Sequence, residues 1–197
     1  YLENSRSYLS AVVASGENFV PSVKTDLRKW WHEILRSYGR YYCYGVFLFL
    51  PSDKEIIHYL TEFGKELHLI SGDKCLMLAL GKSYLQQIDF EKKEWDFAVQ
   101  EQANEGYSLR IAEAFDISIA EMPCFLLFKD IRSPEHIILS LKNTSKKEIA
   151  IAIRLLVSEI NDAFIKGADL LSYIERHRDH EKFMKAGKSI LSELRRI

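Results

Sequence analysis

The stretch Met122-Pro123-Cys124-Phe125-Leu126-Leu127-Phe128 decides how this chain is read. The residues after the proline carry no charge and no amide, a run of strand length with no polar face. Proline has no amide hydrogen to give to a ladder, so it opens such a strand but does not sit inside one. A strand that is apolar on both faces is covered on both, which points to a sheet with helices above and below. Two earlier segments have the same character: Tyr41 to Leu50, ending in Val46-Phe47-Leu48-Phe49-Leu50, and Cys75-Leu76-Met77-Leu78-Ala79-Leu80. Downstream, Ser133-Pro134 turns the chain, and His136 to Leu141 reads as a hairpin partner of the strand begun by Pro123.

Between these runs the apolar spacing becomes helical. Ile56, Leu60, Phe63, Leu67 and Ile70 form one stripe, opened by Ser52-Asp53-Lys54-Glu55, which has the form of a capping box, and closed by Gly72. From Phe90 to Phe115 the chain is polar but helix-compatible, with a break expected near Asn104-Glu105-Gly106 and an apolar face at Ile111, Ala112 and Phe115. Ser145-Lys146-Lys147-Glu148 repeats the box ahead of Ile149, Ala152, Ile153, Leu156, Val157, Ile160 and Phe164, and Gly167 stops that helix.

Helices are expected at both ends too. Residues 5–14 carry a weak helical pattern, and Thr25 or Asp26 is placed to cap a second helix running to about Tyr38. Leu170, Leu171 and Ile174, then Phe183, Ile190 and Leu194, give the C-terminal end an apolar face. The chain is accordingly read as an N-terminal helical extension over 1–40, an α/β domain over 41–167 and a C-terminal helical extension over 168–197. It begins without methionine and ends inside a helical pattern, so a domain cut from a longer protein is expected.

The order of buried strand, capped helix, buried strand, helix, proline-initiated strand, hairpin strand and closing helix resembles the thioredoxin fold. Ile111-Ala112-Glu113-Ala114-Phe115-Asp116-Ile117, followed by Met122-Pro123-Cys124-Phe125-Leu126-Leu127-Phe128, is similar to that family's helix end, cis-proline loop and fourth strand. The resemblance covers about residues 43–166 and implies a central mixed sheet flanked by helices, with the terminal helices as additions. It also implies that Pro123 is the family's cis-proline. Two departures accompany it. Ser118-Ile119-Ala120-Glu121-Met122 makes the loop before the proline longer than the family's pattern. Where thioredoxins carry Cys-x-x-Cys at the strand-to-helix junction, this chain reads Pro51-Ser52-Asp53-Lys54-Glu55. A helix N-terminus lowers a thiol pKa and holds the thiolate. With no cysteine at that place, dithiol oxidoreductase activity does not carry over.

Composition narrows the remaining classes. The 197 residues are 47% hydrophobic and 28% charged, values of a globular domain, and the 27 basic and 28 acidic residues leave a net charge of −1. Near-neutrality removes the global attraction that drives non-specific nucleic-acid binding, and the basic aromatic stretches Arg28-Lys29-Trp30-Trp31 and Arg36 to Tyr44 read better as packing surfaces. No apolar run is long enough for a membrane-spanning helix. Cys43, Cys75 and Cys124 are odd in number and widely spaced, which fits a reducing, cytoplasmic setting better than a disulfide framework.

Burial as small hydrophobes is the expectation for Cys43 and Cys75, and no short ligand spacing links the cysteines into a metal site. Gly81-Lys82-Ser83 follows an apolar strand, but Leu76 stands where a phosphate-binding loop needs glycine. His32-Glu33-Ile34-Leu35-Arg36 lacks the second histidine of a zinc helix, and His177 with His180 lies in a charged run that reads as a solvated face.

No cofactor and no metal is therefore assigned. The function expected is a non-catalytic thioredoxin-like domain that docks a protein partner or a second copy through its terminal helices, at Trp30, Trp31, Phe183, Ile190 and Leu194. The alternative is a monothiol enzyme or sensor using Cys124 beside Pro123. It requires an accessible thiol of depressed pKa.

Overall fold

The segments that are apolar on both faces form the middle of a sheet. A computed structural model of the chain describes residues 11–14, 35–36, 40–80, 94–104, 106–131, 133 and 135–177. The strands are β1 (Ala11–Ala14), β2 (Cys43–Leu48), β3 (Cys75–Leu80), β4 (Cys124–Phe128) and β5 (His136–Ser140). The helices are α1 (Lys54–Ser71), α2 (Glu94–Asn104), α3 (Tyr107–Ala114), α4 (Lys146–Ile165) and α5 (Leu170–His177). The strands lie in the order β1-β3-β2-β4-β5. β1 and β2 run parallel to β3, whereas β4 is antiparallel to both β2 and β5. The fold is therefore α/β, built on a mixed sheet.

Alternation along the strands divides the core. Phe47, Phe125 and Leu127 join a cluster with buried side chains of α1, α2, α4 and α5. Tyr44, Val46, Leu126 and Phe128 face the other way, against Tyr107, Ile111 and Ala112 of α3. Successive residues of β2 and β4 are thus buried in turn on opposite faces, and no residue of either strand is left for solvent. No helix among the described residues is long and apolar enough to cross a membrane.

Two expectations are corrected. Ala11–Ala14 is not helical: it pairs with Met77 to Leu80 of β3, so the 1–40 segment contributes a strand to the sheet. Two adjacent valines favour extended backbone, and the pairing partner that decides the matter lies far away in sequence. Of the helix expected up to Tyr38, Leu35 and Arg36 are described and are helical. Ser52 does not cap α1: Asp53 holds that position and makes no side-chain cap bond, because its carboxylate turns back to the Leu50 amide at 2.7 Å. The box at Ser145 does form, with Glu148 Oε2 accepting from the Ser145 amide at 2.8 Å.

The described part of the C-terminal extension folds back onto the domain. Leu170, Leu171 and Ile174 are buried in the α1–α4 cluster, and the Tyr42 hydroxyl donates to Ala168 O at 2.7 Å. Gly167, at φ +60°, makes the turn that reverses the chain between α4 and α5.

Trp95 of α2 packs against α1, where its indole nitrogen donates to Leu60 O at 2.6 Å. Gly64 leaves room for it: a β-carbon there would stand 2.2 Å from the indole ring. Alanine in a helix interior ordinarily gains about 1 kcal/mol over glycine. Here the overlap reverses the sign, and Gly64→Ala is expected to lower the unfolding free energy by about 1–2 kcal/mol, read from urea denaturation.

Candidate functional site

The end of β2 is finished by polar groups rather than by more strand. Phe49 N donates to Ser108 Oγ at 3.1 Å, and Gln102 Nε2 donates to Phe47 O at 2.5 Å and to Ser108 Oγ at 3.0 Å. Gln102 and Ser108 are each 1% exposed, so helices α2 and α3 supply the partners that water cannot. The next residues turn tightly. Leu50 N donates to Asp53 Oδ2 and Asp53 N donates to Leu50 O at 3.0 Å, with Pro51 and Ser52 at the exposed tip.

Two further loops meet this turn. A single turn of 3-10 helix, Ile119–Glu121, is capped by Ser118 and leads to a cis Met122–Pro123 bond immediately before β4. The β5–α4 loop carries Leu141, whose amide donates to Pro123 O at 2.9 Å, and Asn143 in the left-handed region at φ +54°. The Thr144 hydroxyl donates to Leu141 O. Glu55 then ties two elements together: its Oε2 accepts from the Lys146 amide in the first turn of α4 at 2.9 Å. A carboxylate is favoured there by the exposed amides and the helix dipole.

The three loops enclose a cleft of about 480 Å³. Ile56, Met122, Pro123, Leu141 and Ile149 give it apolar walls, and Ser52, Asp53, Lys54, Glu55, Lys142 and Asn143 bring polar groups to it. The described residues lining it include no cysteine and no histidine. Such a site offers apolar walls and charges of both signs, and no thiol for exchange chemistry.

Of the residues singled out in the sequence, Pro123 lines this cleft and Cys124 does not. Cys124 is fully buried and points into the cluster with Leu48, Met122 and Leu126. Burial, with a smaller contribution from the Glu121 carboxylate, pushes its thiol up to about 12, the opposite of what a reactive thiol needs. Cys43 is also held well above the ordinary thiol range, chiefly by burial and then by hydrogen bonding with Cys75. Trp30, Trp31, Phe183, Ile190, Leu194 and His180 lie outside the described residues. His177 stacks on Tyr173, and among the described residues no three of His, Cys, Asp and Glu gather as metal ligands.

Nothing in the sequence singles out Gln102, Ser108 or the Glu55–Lys146 contact. A polar residue within a helix-compatible stretch gave the only trace of the first two. Comparison of the chain with protein-family models, curated proteins and solved structures finds no match.

Native protein mixed with a maleimide at neutral pH is expected to leave Cys124 unlabelled over the time in which urea-unfolded protein labels at all three cysteines. Mass spectrometry of the labelled peptides checks this. Rapid native labelling at Cys124 would contradict the buried, protonated thiol.

Proposed function

We propose that the chain is a thioredoxin-like domain without thiol chemistry at its cleft, serving as a docking or regulatory module of a larger protein. The strand order β1-β3-β2-β4-β5, with β4 and β5 antiparallel and a cis-proline directly ahead of β4, supports the family reading. The observation that carries the functional reading is the composition of the β2–α1 turn. By the resemblance, Ser52-Asp53-Lys54-Glu55 would stand where the family carries its dithiol, and both carboxylates there bond backbone amides. That turn is built to shape the cleft, and thiol exchange has no sulfur to begin from.

Protein partners, or a second copy, are proposed to meet the terminal segments around Trp30, Trp31, Phe183, Ile190 and Leu194 as well as the cleft. A cytoplasmic setting is proposed with it, since the three cysteines are free and buried rather than paired into a framework. The monothiol alternative loses its support with the burial of Cys124.

Two measurements test the proposal. In a disulfide-reduction assay with an insulin substrate, the chain is expected to give no rate above the reductant alone. Selection from a displayed peptide library is expected to return binders, and their affinity is expected to fall about tenfold or more with Ser52→Trp at the cleft mouth or with Trp30→Ala and Trp31→Ala together. Turnover in the first assay, or no peptide whose binding responds to either variant, overturns it.

A further inference from the structure

The cysteines that the cleft does not use are not equivalent. Cys43 and Cys75 open the neighbouring parallel strands β2 and β3 and are direct partners in the register. Register partners on adjacent strands project to the same face, and both side chains sit in the same core cluster. Adjacent strands lie about 4.8 Å apart, inside the roughly 4.4–6.8 Å Cα separation that a disulfide bridges. Cys43 Sγ donates to Lys74 O at 3.8 Å, the carbonyl directly ahead of Cys75. Cys124 is placed apart from them, opposite Leu48 at the other end of β2 and in the other cluster.

We propose that Cys43 and Cys75 form a disulfide site: two preorganised thiols that a small disulfide oxidant, such as oxidised glutathione, converts into a cross-link between β2 and β3. In the first step the thiolate of one cysteine attacks a sulfur of the oxidant. A protein–glutathione bond forms, the oxidant's disulfide breaks, and one glutathione leaves and takes up the proton. The second cysteine then attacks the protein-bound sulfur and expels the second glutathione, again with one proton. Two thiols are oxidised to one disulfide, and one glutathione disulfide is reduced to two thiols.

In the native fold this site is guarded. Both cysteines are 0% exposed, and the strand end beside them is closed by contacts of Tyr42: its hydrogen bond to Ala168 O and its edge-on packing against Phe164. The reduced pair therefore packs as ordinary core until that end opens. Once linked, the pair closes the whole β2–α1–β3 segment into a loop, which restricts the unfolded chain and favours the folded one. This inference is independent of what the cleft binds.

The test uses the whole chain in two arms, native protein and urea-unfolded reduced protein refolded by dilution, both in a glutathione redox buffer. Free thiols are then blocked and the peptides mapped. The refolded arm is expected to lose two hydrogens of mass per chain, to carry a Cys43–Cys75 link with Cys124 alkylated, and to unfold at a higher urea concentration than the reduced protein. Cys124→Ala is expected to keep the Cys43–Cys75 link and the higher unfolding concentration, and Cys43→Ala to abolish both. A slower native arm that yields the same link supports the guarded site. The proposal is overturned if refolded native protein keeps three alkylatable thiols, if the link involves Cys124, or if the linked chain unfolds at lower urea concentration.

Discussion

The antiparallel register that sets Leu48 of β2 opposite Cys124 of β4 is the constraint on which the rest of the structure depends. Because β4 starts directly after Pro123, this register brings the Met122–Pro123 loop level with the end of β2 and the Leu50–Asp53 turn. One glycine makes the close fit possible. The Phe125 ring crosses the strand above Gly45, where a β-carbon would stand 2.2 Å from the ring, and meets Phe47 edge-on with centroids 4.6 Å apart. Diagonal cross-strand neighbours of this kind reach one another only with large side chains, and the missing side chain at 45 lets the largest fit.

The cleft itself is held by groups that would otherwise be unsatisfied. Strand β2 stops where Gln102 and Ser108 take over its backbone partners, so its last residues are fixed without a further strand. Asp53 then closes the turn by accepting from the Leu50 amide, and Glu55 serves a helix N-terminus by reaching across to the Lys146 amide. Lys146 also pairs with Glu62 and Arg154 with Glu66, continuing the α1–α4 contact along the surface. Exposed pairs of this sort add about 1 kcal/mol at most. The buried amides of the loops, which need partners, contribute more to the shape of the site.

Much of this architecture was legible because its signals are local. The runs Val46 to Leu50, Cys75 to Leu80 and Cys124 to Phe128 carry their own evidence of burial, and the stripe from Ile149 to Ile160 repeats so regularly that α4 could hardly be anything else. Ser145 caps its helix and Ser52 does not, although the two boxes have the same spacing. What separates them is the residue after the serine. Asp53 can accept the Leu50 amide, so the turn tightens by one residue and the helix begins after aspartate. Lys147 and Lys146 offer no such acceptor. β1 is not legible for another reason: four small and branched residues carry too short a pattern to distinguish strand from helix, and only β3 decides. Gln102 and Ser108 could not be singled out because a polar residue in a polar helix looks the same whether it faces water or a strand end.

The chemistry of the chain is divided between the two ends of its central strand. Cys43 stands at the start of β2 and Leu48, with Cys124 across from it, at the finish. The five intervening steps amount to about 17 Å, and the odd spacing also places Cys43 and Cys124 on opposite faces. No side-chain motion short of unfolding brings the three sulfurs together, which is why the chain supports neither a three-thiol metal centre nor exchange between Cys124 and the other pair. The same separation frees the cleft from the redox state of the strand starts. A link between Cys43 and Cys75 would hold fast two strands that the parallel register already holds, while the loops around Pro123 depend on β4, β5 and the Glu55–Lys146 contact. The cysteine pair and the cleft thus lie beside different hydrogen-bonded neighbours of one strand, the pair with β3 and the cleft with β4.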